Sequence, residues 1–415
     1  MPARGRAGFK LGSILGCISI GSALSAGWTV DGRANETVES RFDLRGYASA
    51  NYFAYDWQTD PGRRNAIDLE RLTLYPTWRL DPRAQLVGEV EFEHGGTGST
   101  VEFDRFEEFG EFEYEIEKGG EVLLEQLHLR YVHRDWFVVK LGRFKLPIGL
   151  ASTHDEPSEY FTTTRSIAEA TLIPVNWYEN GIQLGGAAGR VEYTLSLVNG
   201  LDSSGFSSAA WVASGHQRRF EQVNAENLAL CVTLAWRPRS ELTLGASAYR
   251  GDSADNRPKP DLDVDAVVTV LDAHAEWGRG PWIVRALLLR GDLENADLVT
   301  KANRNLSNNL NVKRTPVGSA AQAVTAEAGF DLHSLLAALR RPLLLFARYE
   351  SYDSMQEVEG AVIDLPRWDR EAWTGGLNWR ALDGAVLKAE YSRRELDIPN
   401  DNVEKTFSAG FGVEF

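Results

Sequence analysis

The chain has 415 residues, a formal net charge of −15 at pH 7 and two cysteines, Cys17 and Cys231. Its acidic balance disfavours nucleic acid as a partner, because a nucleic-acid-binding protein needs a basic face to displace phosphate counterions. After residue 27 it has no run of about eighteen apolar residues, which excludes membrane-spanning helices.

The first residues are organised as a secretory signal peptide. Arg4, Arg6 and Lys10 precede an apolar run from Leu11 to Leu24, and the run ends in small residues up to Ala26. We therefore predict a cleaved signal over residues 1–26 and a periplasmic N-terminal segment over 27–40. Cleavage removes three positive and no negative charges, so the charge of the mature chain becomes about −18.

The two cysteines bear on processing and on disulfides. Lipoprotein cleavage before Cys17 is an alternative, but the apolar segment that precedes this cysteine is short for it. With the signal removed, only Cys231 remains. An intramolecular disulfide is then excluded.

From Phe42 onward, stretches of about ten residues alternate apolar and polar side chains, which is the pattern of β-strands. In the last stretch, Phe407, Phe411 and Phe415 share one face. Sixteen stretches are predicted as strands, over residues 41–57, 65–80, 83–94, 121–133, 136–146, 181–188, 191–199, 226–237, 241–251, 265–277, 282–292, 321–332, 342–353, 371–381, 385–397 and 403–415.

Short and long connections alternate between these strands. Short turns contain Asp81-Pro82, Gly189 and Asp383-Gly384, whereas connections such as 95–120 and 147–180 are long; 333–341 is intermediate. This alternation is typical of an outer-membrane barrel and not of a soluble sandwich. We predict an all-β fold, a transmembrane antiparallel β-barrel of sixteen strands over 41–415, with short periplasmic turns, long extracellular loops and an aqueous lumen.

Tryptophans fall near the predicted strand ends, which indicates aromatic girdles at the two lipid–water interfaces. The alternative is that they cap the core of a sandwich. The residues are Trp57, Trp78, Trp136, Trp177, Trp236, Trp277, Trp282, Trp373 and Trp379.

The loop 95–120 is an acidic extracellular insertion. In 102–117, glutamates alternate with Phe112, Tyr114 and Ile116, and we interpret 111–117 as a hairpin arm within the loop. One hypothesis is an acidic finger that binds divalent cations. The other is an amphipathic hairpin with a solvated glutamate face, which the absence of a calcium-loop spacing favours.

Several segments resemble, in order along the chain, the phosphate-selective porin O/P family of Gram-negative outer membranes. Leu141 to Leu150 resembles the strand end that leads into that family's constriction loop, and Phe161 to Ser166 with Pro174 to Ile182 resembles the loop and its return. Further matching segments are Tyr193 to Gly200, Gly280 to Trp282, Ala347 to Glu350, Gly375 to Trp379 and Phe411 to Phe415. The terminal Phe415 looks like the signal that the outer-membrane insertion machinery recognises.

The resemblance implies a passive channel in the outer membrane, assembled as a homotrimer, with the loop 147–180 folded into the pore. Its partners would be outer-membrane lipid and small ions or hydrophilic solutes, including anions such as phosphate. Phosphate-selecting members of the family use lysines and a ladder of arginines.

Charges at the narrowest point decide which ions enter a pore. Candidate constriction residues are Lys140, Arg143, Lys145 and Arg165, and a regular strand puts Lys140 and Lys145 on opposite faces. Further lumen candidates are Arg348, Glu350, Lys388 and Glu390, together with an acidic wall of Glu89, Glu91 and Glu93. These charges either brace the wall as ion pairs or select ions. A transverse field would require Arg165 to face wall carboxylates.

The first functional hypothesis is therefore a diffusion porin. A non-channel receptor or adhesin on a sealed barrel is the alternative, and a soluble periplasmic β-protein is a third possibility. Catalysis is not expected, because the sequence has neither a Gly-x-Ser-x-Gly elbow nor a phosphate-binding glycine loop. No cofactor is expected, and no metal site, because the histidines have no partners at ligand spacing.

Overall fold

The computed structural model describes residues 40–96, 100–104, 113–117, 120–217, 222–306, 313–336 and 338–415. Its strands are β1 (Phe42–Trp57), β2 (Ala66–Asp81), β3 (Ala84–Glu93), β4 (Thr100–Asp104), β5 (Glu113–Glu117), β6 (Glu121–Arg134), β7 (Phe137–Lys145), β8 (Tyr178–Ala188), β9 (Val191–Asn199), β10 (Leu228–Arg239), β11 (Leu242–Asp252), β12 (Val267–Arg279), β13 (Trp282–Leu293), β14 (Ala320–Asp331), β15 (Leu343–Glu357), β16 (Asp369–Leu382), β17 (Ala385–Leu396) and β18 (Val403–Glu414). The helices are α1 (Ile167–Leu172) and α2 (Ala296–Asn305).

Sixteen of these strands form one closed antiparallel barrel, which confirms the predicted fold class. Neighbours along the chain pair with each other, β3 pairs with β6, and β1 closes the barrel by pairing with β18. The remaining strands, β4 and β5, form a separate hairpin within the loop between β3 and β6, as the interpretation of 111–117 requires. The predicted residues 1–26 and 27–39 lie outside the described residues.

The predicted strand bounds differ from the observed ones mainly at β15, which ends at Glu357, four residues later than predicted, and at the start of β8. This strand begins at Tyr178, three residues earlier than predicted, because Tyr178 and Asn180 pair in register with Lys145 and Arg143 of β7. The connection between β7 and β8, for which a constriction loop over 147–180 was predicted, comprises residues 146–177.

The two ends of the barrel differ in their connections. The tight turns, the start of β1 and the end of β18 lie at one end, here called the short-turn end, and the longer loops lie at the opposite, long-loop end. At the short-turn end, the backbone of Phe415 exchanges hydrogen bonds of 2.9 and 2.8 Å with Gly46. The role of Phe415 in insertion remains a prediction.

The outer face of the barrel is apolar, because the strand alternation exposes one set of side chains. In β10, Leu230, Val232 and Leu234 are exposed whereas Ala229 and Cys231 are buried. A soluble periplasmic protein would need these outer faces to pack on each other. In the described residues they are exposed, so the packing that a soluble protein would need is not observed.

Seven of the nine tryptophans lie on the outer face, exposed by 37% or more. Six of these seven are at the short-turn end, and Trp373 lies toward the long loops. The girdle prediction is wrong for the other two. Trp177 is fully buried inside the barrel, and Trp57 at the end of β1 donates a hydrogen bond inward to Thr406.

One side of the barrel interior is filled by packed apolar side chains. Loop 200–217 contributes Phe206 and Trp211 and α2 contributes Val299 to an apolar cluster that also contains inward-facing residues of β9 to β15. The opposite side, along β16 to β18 and β1 to β3, presents mainly polar and charged side chains to the interior. No helix among the described residues has the length and apolarity needed to cross a membrane.

Candidate functional site

The segment 146–177, here called the inward loop, runs through the barrel interior. Its apolar residues Leu146, Ile148, Leu172 and Trp177 are buried in the interior cluster. Helix α1 within it begins at the cap residue Ser166, whose hydroxyl accepts a hydrogen bond from the amide of Glu169. Because these side chains bury apolar surface against the wall, the loop folds inward rather than into solvent.

Asp155 anchors the middle of the inward loop. Its carboxylate accepts ion pairs from Arg71 of β2 at 3.3 Å, from Lys145 of β7 at 2.7 Å and from Arg165 of the loop itself at 3.0 Å. All four side chains are less than 20% exposed. A single carboxylate therefore joins three cations that come from two strands and the loop.

This arrangement leaves one condition unmet and corrects one prediction. A transverse field would require Arg165 to face carboxylates of the wall, but the carboxylate with which it forms an ion pair, Asp155, belongs to its own loop. Lys140 and Lys145 were expected on opposite faces, yet Lys145 reaches Asp155 inside the barrel and Lys140 lies opposite the buried Gln183. Gly142, with a φ of 123°, interrupts the regular alternation between the two lysines.

The predicted residues of β17 bind the loop backbone. The Lys388 ammonium donates hydrogen bonds to the carbonyl oxygens of Tyr160 and Thr162, at 3.0 and 2.7 Å. The Glu390 carboxylate accepts hydrogen bonds from the amide and the hydroxyl of Thr163, at 2.9 and 2.6 Å. Both charged groups therefore have their hydrogen-bond partners on the inward loop.

Glu350 of β15 also hydrogen-bonds to the inward loop, whereas Arg348 of the same strand pairs with a carboxylate of the wall. Glu350 accepts hydrogen bonds from the Ser166 hydroxyl at 2.7 Å and from the Ala168 amide at 3.2 Å, at the start of α1. Arg348 donates to Glu327 of β14 at 2.8 Å, and the same carboxylate accepts from Arg285 of β13 at 2.9 Å.

The acidic wall lies on β3. Glu89 accepts a hydrogen bond from the Tyr178 hydroxyl at 2.8 Å and Glu91 accepts one from the Thr73 hydroxyl at 2.9 Å; both carboxylates are buried. Glu93 is half-buried. Arg143 forms an ion pair of 3.4 Å with Glu125 on β6.

Sequence reasoning missed Asp155, Arg71, Arg285, Glu327 and Glu276. Glu276 accepts from both Arg285 and His154, at 2.5 and 2.7 Å. The alternation of polar and apolar residues could have marked the strand residues among them as inward-facing. Their pairing depends on the register of three neighbouring strands and on the path of the loop, which no local pattern reveals.

A small pocket of about 30 Å³, here called the arginine pocket, lies between the inward loop and strands β13 to β15. Three arginines and two carboxylates belong to its lining. The lining residues are Leu150, Ala151, His154, Tyr160, Arg165, Ser166, Glu169, Arg285, Thr325, Glu327 and Arg348.

Glu169 in α1 is a buried carboxyl that makes stability depend on pH. Burial, with the nearby carboxylates of Asp272 and Glu350, raises its pKa to about 7, although the Ala151 amide donates to it and His274 opposes the shift. A raised pKa means that the stabilisation is complete below about pH 4.5, the value of an unfolded glutamate, and is lost as the pH rises through 7.

We therefore expect the protein to unfold at a lower temperature at about pH 8 than at about pH 5. Glu169→Gln should reduce this difference, because the amide cannot ionise. Thermal unfolding of the two proteins at both pH values tests the prediction, with Glu357→Gln on the exposed end of β15 as the control. An equal pH dependence in wild type and Glu169→Gln would contradict it.

No family model matches the chain. A protein of Aquifex aeolicus (strain VF5), described as uncharacterized, is 24% identical over 374 residues, which cover 88% of this chain and 78% of that protein.

Several solved outer-membrane proteins share this fold. The outer membrane channel DcaP of Acinetobacter baumannii has a TM-score of 0.55 at 10% identity, covering 90% of this chain and 97% of its own. OmpF of Salmonella typhi, in complex with daunomycin, has a TM-score of 0.55 at 11% identity with the same coverage. OmpT of Vibrio cholerae in its trimer form has a TM-score of 0.51 at 11% identity, covering 90% and 99%. The fold is therefore that of porin-like outer-membrane barrels.

Proposed function

We propose that the chain is an outer-membrane porin, a water-filled channel for passive diffusion of small hydrophilic solutes or ions. The observation that carries the proposal is the closed barrel of sixteen strands with an apolar outer face, a charged inner wall and a long loop folded inside. Barrels of this strand number enclose a lumen wider than their own side chains fill. The predicted signal peptide supports export to the outer membrane.

We further propose that phosphate is among the ions that the channel admits. It is supported by the resemblance of residues 141–150 and 161–166 to phosphate-selective porins, and by the three cations that share Asp155. A homotrimer is likewise proposed, in line with the trimer form recorded for the similar OmpT of Vibrio cholerae.

The test is conductance across a planar bilayer that holds the purified protein. We expect stepwise currents, a reversal potential under a salt gradient that favours anions, and a current reduction when phosphate is added. Arg165→Ala should weaken both anion preference and phosphate block, because Arg165 is a cation of the inward loop. Arg250→Ala is the matched control, since Arg250 is exposed and pairs with Glu294 at the long-loop end.

One observation favours a second function, a sealed barrel that serves as a receptor or adhesin. Trp211 and Phe206 from loop 200–217 are fully buried in the interior cluster, and Trp211 lies against Gly291 near the long-loop end of β13. Absence of any conductance would favour this function over the porin. Cation preference without phosphate block would keep the porin and remove phosphate.

A further inference from the structure

The arginine pocket contains buried hydrogen-bond donors without partners. The Nε and Nη1 atoms of Arg165 and the hydroxyl of Thr325 are buried, and none of them has a hydrogen-bond partner in the described part of the chain. The Arg165 side chain is 7% exposed and Thr325 is 4% exposed. Buried polar groups are nearly always hydrogen-bonded in folded proteins, so these donors indicate an occupant.

The chemistry of the donors defines that occupant. A guanidinium has only N–H groups, so the missing partner of Arg165 must be an acceptor, and a hydroxyl can donate to the same atom. Because Arg165 comes from the inward loop and Thr325 from β14, an acceptor between them would join the loop to the wall.

The nearby carboxylates are already engaged. Asp155 is shared by Arg165 and two further cations, and Glu327 is shared by Arg285 and Arg348. The other carboxyl of the lining, Glu169, accepts a hydrogen bond from the Ala151 amide. Three arginines against two carboxyls leave the lining with net positive charge.

We propose that the arginine pocket binds one small inorganic anion of halide size, chloride under ordinary salt conditions, which joins the inward loop to the barrel wall. At about 30 Å³ the pocket exceeds the about 10–15 Å³ that one water molecule needs, so it has room for the somewhat larger halide ion. The anion is a structural component of the loop contact. Its binding does not depend on whether the barrel conducts.

Bromide is the probe for the first test, because its anomalous scattering distinguishes it from water. Crystals of the full barrel grown or soaked in sodium bromide should show an anomalous peak within hydrogen-bond distance of Arg165 Nε or Nη1 and of the Thr325 hydroxyl. Density at this position without anomalous signal identifies a water molecule and overturns the proposal. An empty pocket overturns it as well.

Thermal unfolding at constant ionic strength provides the second test. Replacing the bulky anion gluconate by chloride should raise the unfolding temperature of the wild type in a saturable way, since a ligand of the folded state stabilises it. Apparent chloride affinity should fall by about tenfold or more in Arg165→Gln, which loses a charge-assisted donor. Thr325→Val, which keeps the charge and the volume, should weaken it by a smaller factor.

Arg250→Gln is the control for the loss of one positive charge, because Arg250 lies on the outer face in an exposed pair with Glu294. Its chloride dependence should equal that of the wild type. Equal chloride dependence in Arg165→Gln, or stabilisation of the wild type by gluconate and chloride alike, would overturn the proposal. Phosphate that competes with bromide in the crystal would change the anion class from halide to oxoanion and overturn the size assignment.

Discussion

Asp155→Asn is expected to lower the free energy of unfolding by about 3–5 kcal/mol, the loss seen when a buried ion pair loses one partner. The substitution leaves Arg71, Lys145 and Arg165 as buried or nearly buried cations without their common carboxylate. Their mutual repulsion should push the inward loop away from β2 and β7. In the proposed porin, the same variant should therefore conduct more current per channel and fluctuate between more conductance levels.

Chemical unfolding in detergent measures the first effect and single-channel recording measures the second. Asp383→Asn is the matched control, because Asp383 pairs with Arg341 at a tight turn and its side chain is 91% exposed. Exposed pairs contribute about 0–1 kcal/mol, so this variant should resemble the wild type in both measurements. A wild-type unfolding profile for Asp155→Asn would show that the three cations do not need this carboxylate.

Trp211→Ala should destabilise the protein by about 3–5 kcal/mol, the range for removing a large buried aromatic side chain. The indole is fully buried in the interior cluster, and its Nε1 donates a hydrogen bond of 3.1 Å to the carbonyl of Gly318. Since the ring occupies the barrel interior near the long-loop end, its removal should also increase conductance in the proposed porin.

Gly291 of β13 provides a test from the wall that contacts Trp211. A Cβ at this position would lie 2.0 Å from the ring of Trp211, so Gly291→Ala should cost about 1–3 kcal/mol by overpacking. Trp373→Ala is the control for the loss of an indole, because Trp373 is 59% exposed on the outer face. Channel currents should be unchanged in this control. If Trp211→Ala alters neither stability nor current, loop 200–217 does not obstruct the interior.

The strands were predictable because their information is local. Alternation of side chains has a period of two residues, and the alternating short and long connections identify which strand ends lie together. The position of Phe415 at the short-turn end follows from the even strand number. The observed strand bounds differ from the predicted ones where pairing with a neighbour extends a strand, as at Tyr178 in β8.

The partners of the charged residues were not predictable in the same way. Lys388 and Glu390 were recognised as inward-facing, but their contacts with the backbone of Tyr160, Thr162 and Thr163 depend on the path of the loop. A positive φ at Gly142 reversed the expected orientation of Lys145. Trp177 was assigned to a lipid girdle, although the segment around it folds inward.

By itself, the sequence determined that this chain forms a sixteen-stranded antiparallel barrel with an apolar outside, because each strand carries its own inward and outward faces. Only the tertiary structure decided how the interior is filled. Asp155, Arg165 and Glu327 come from distant parts of the chain, and a carboxylate or guanidinium inside a barrel is stabilised only by the particular groups that closure and loop folding bring within hydrogen-bond distance.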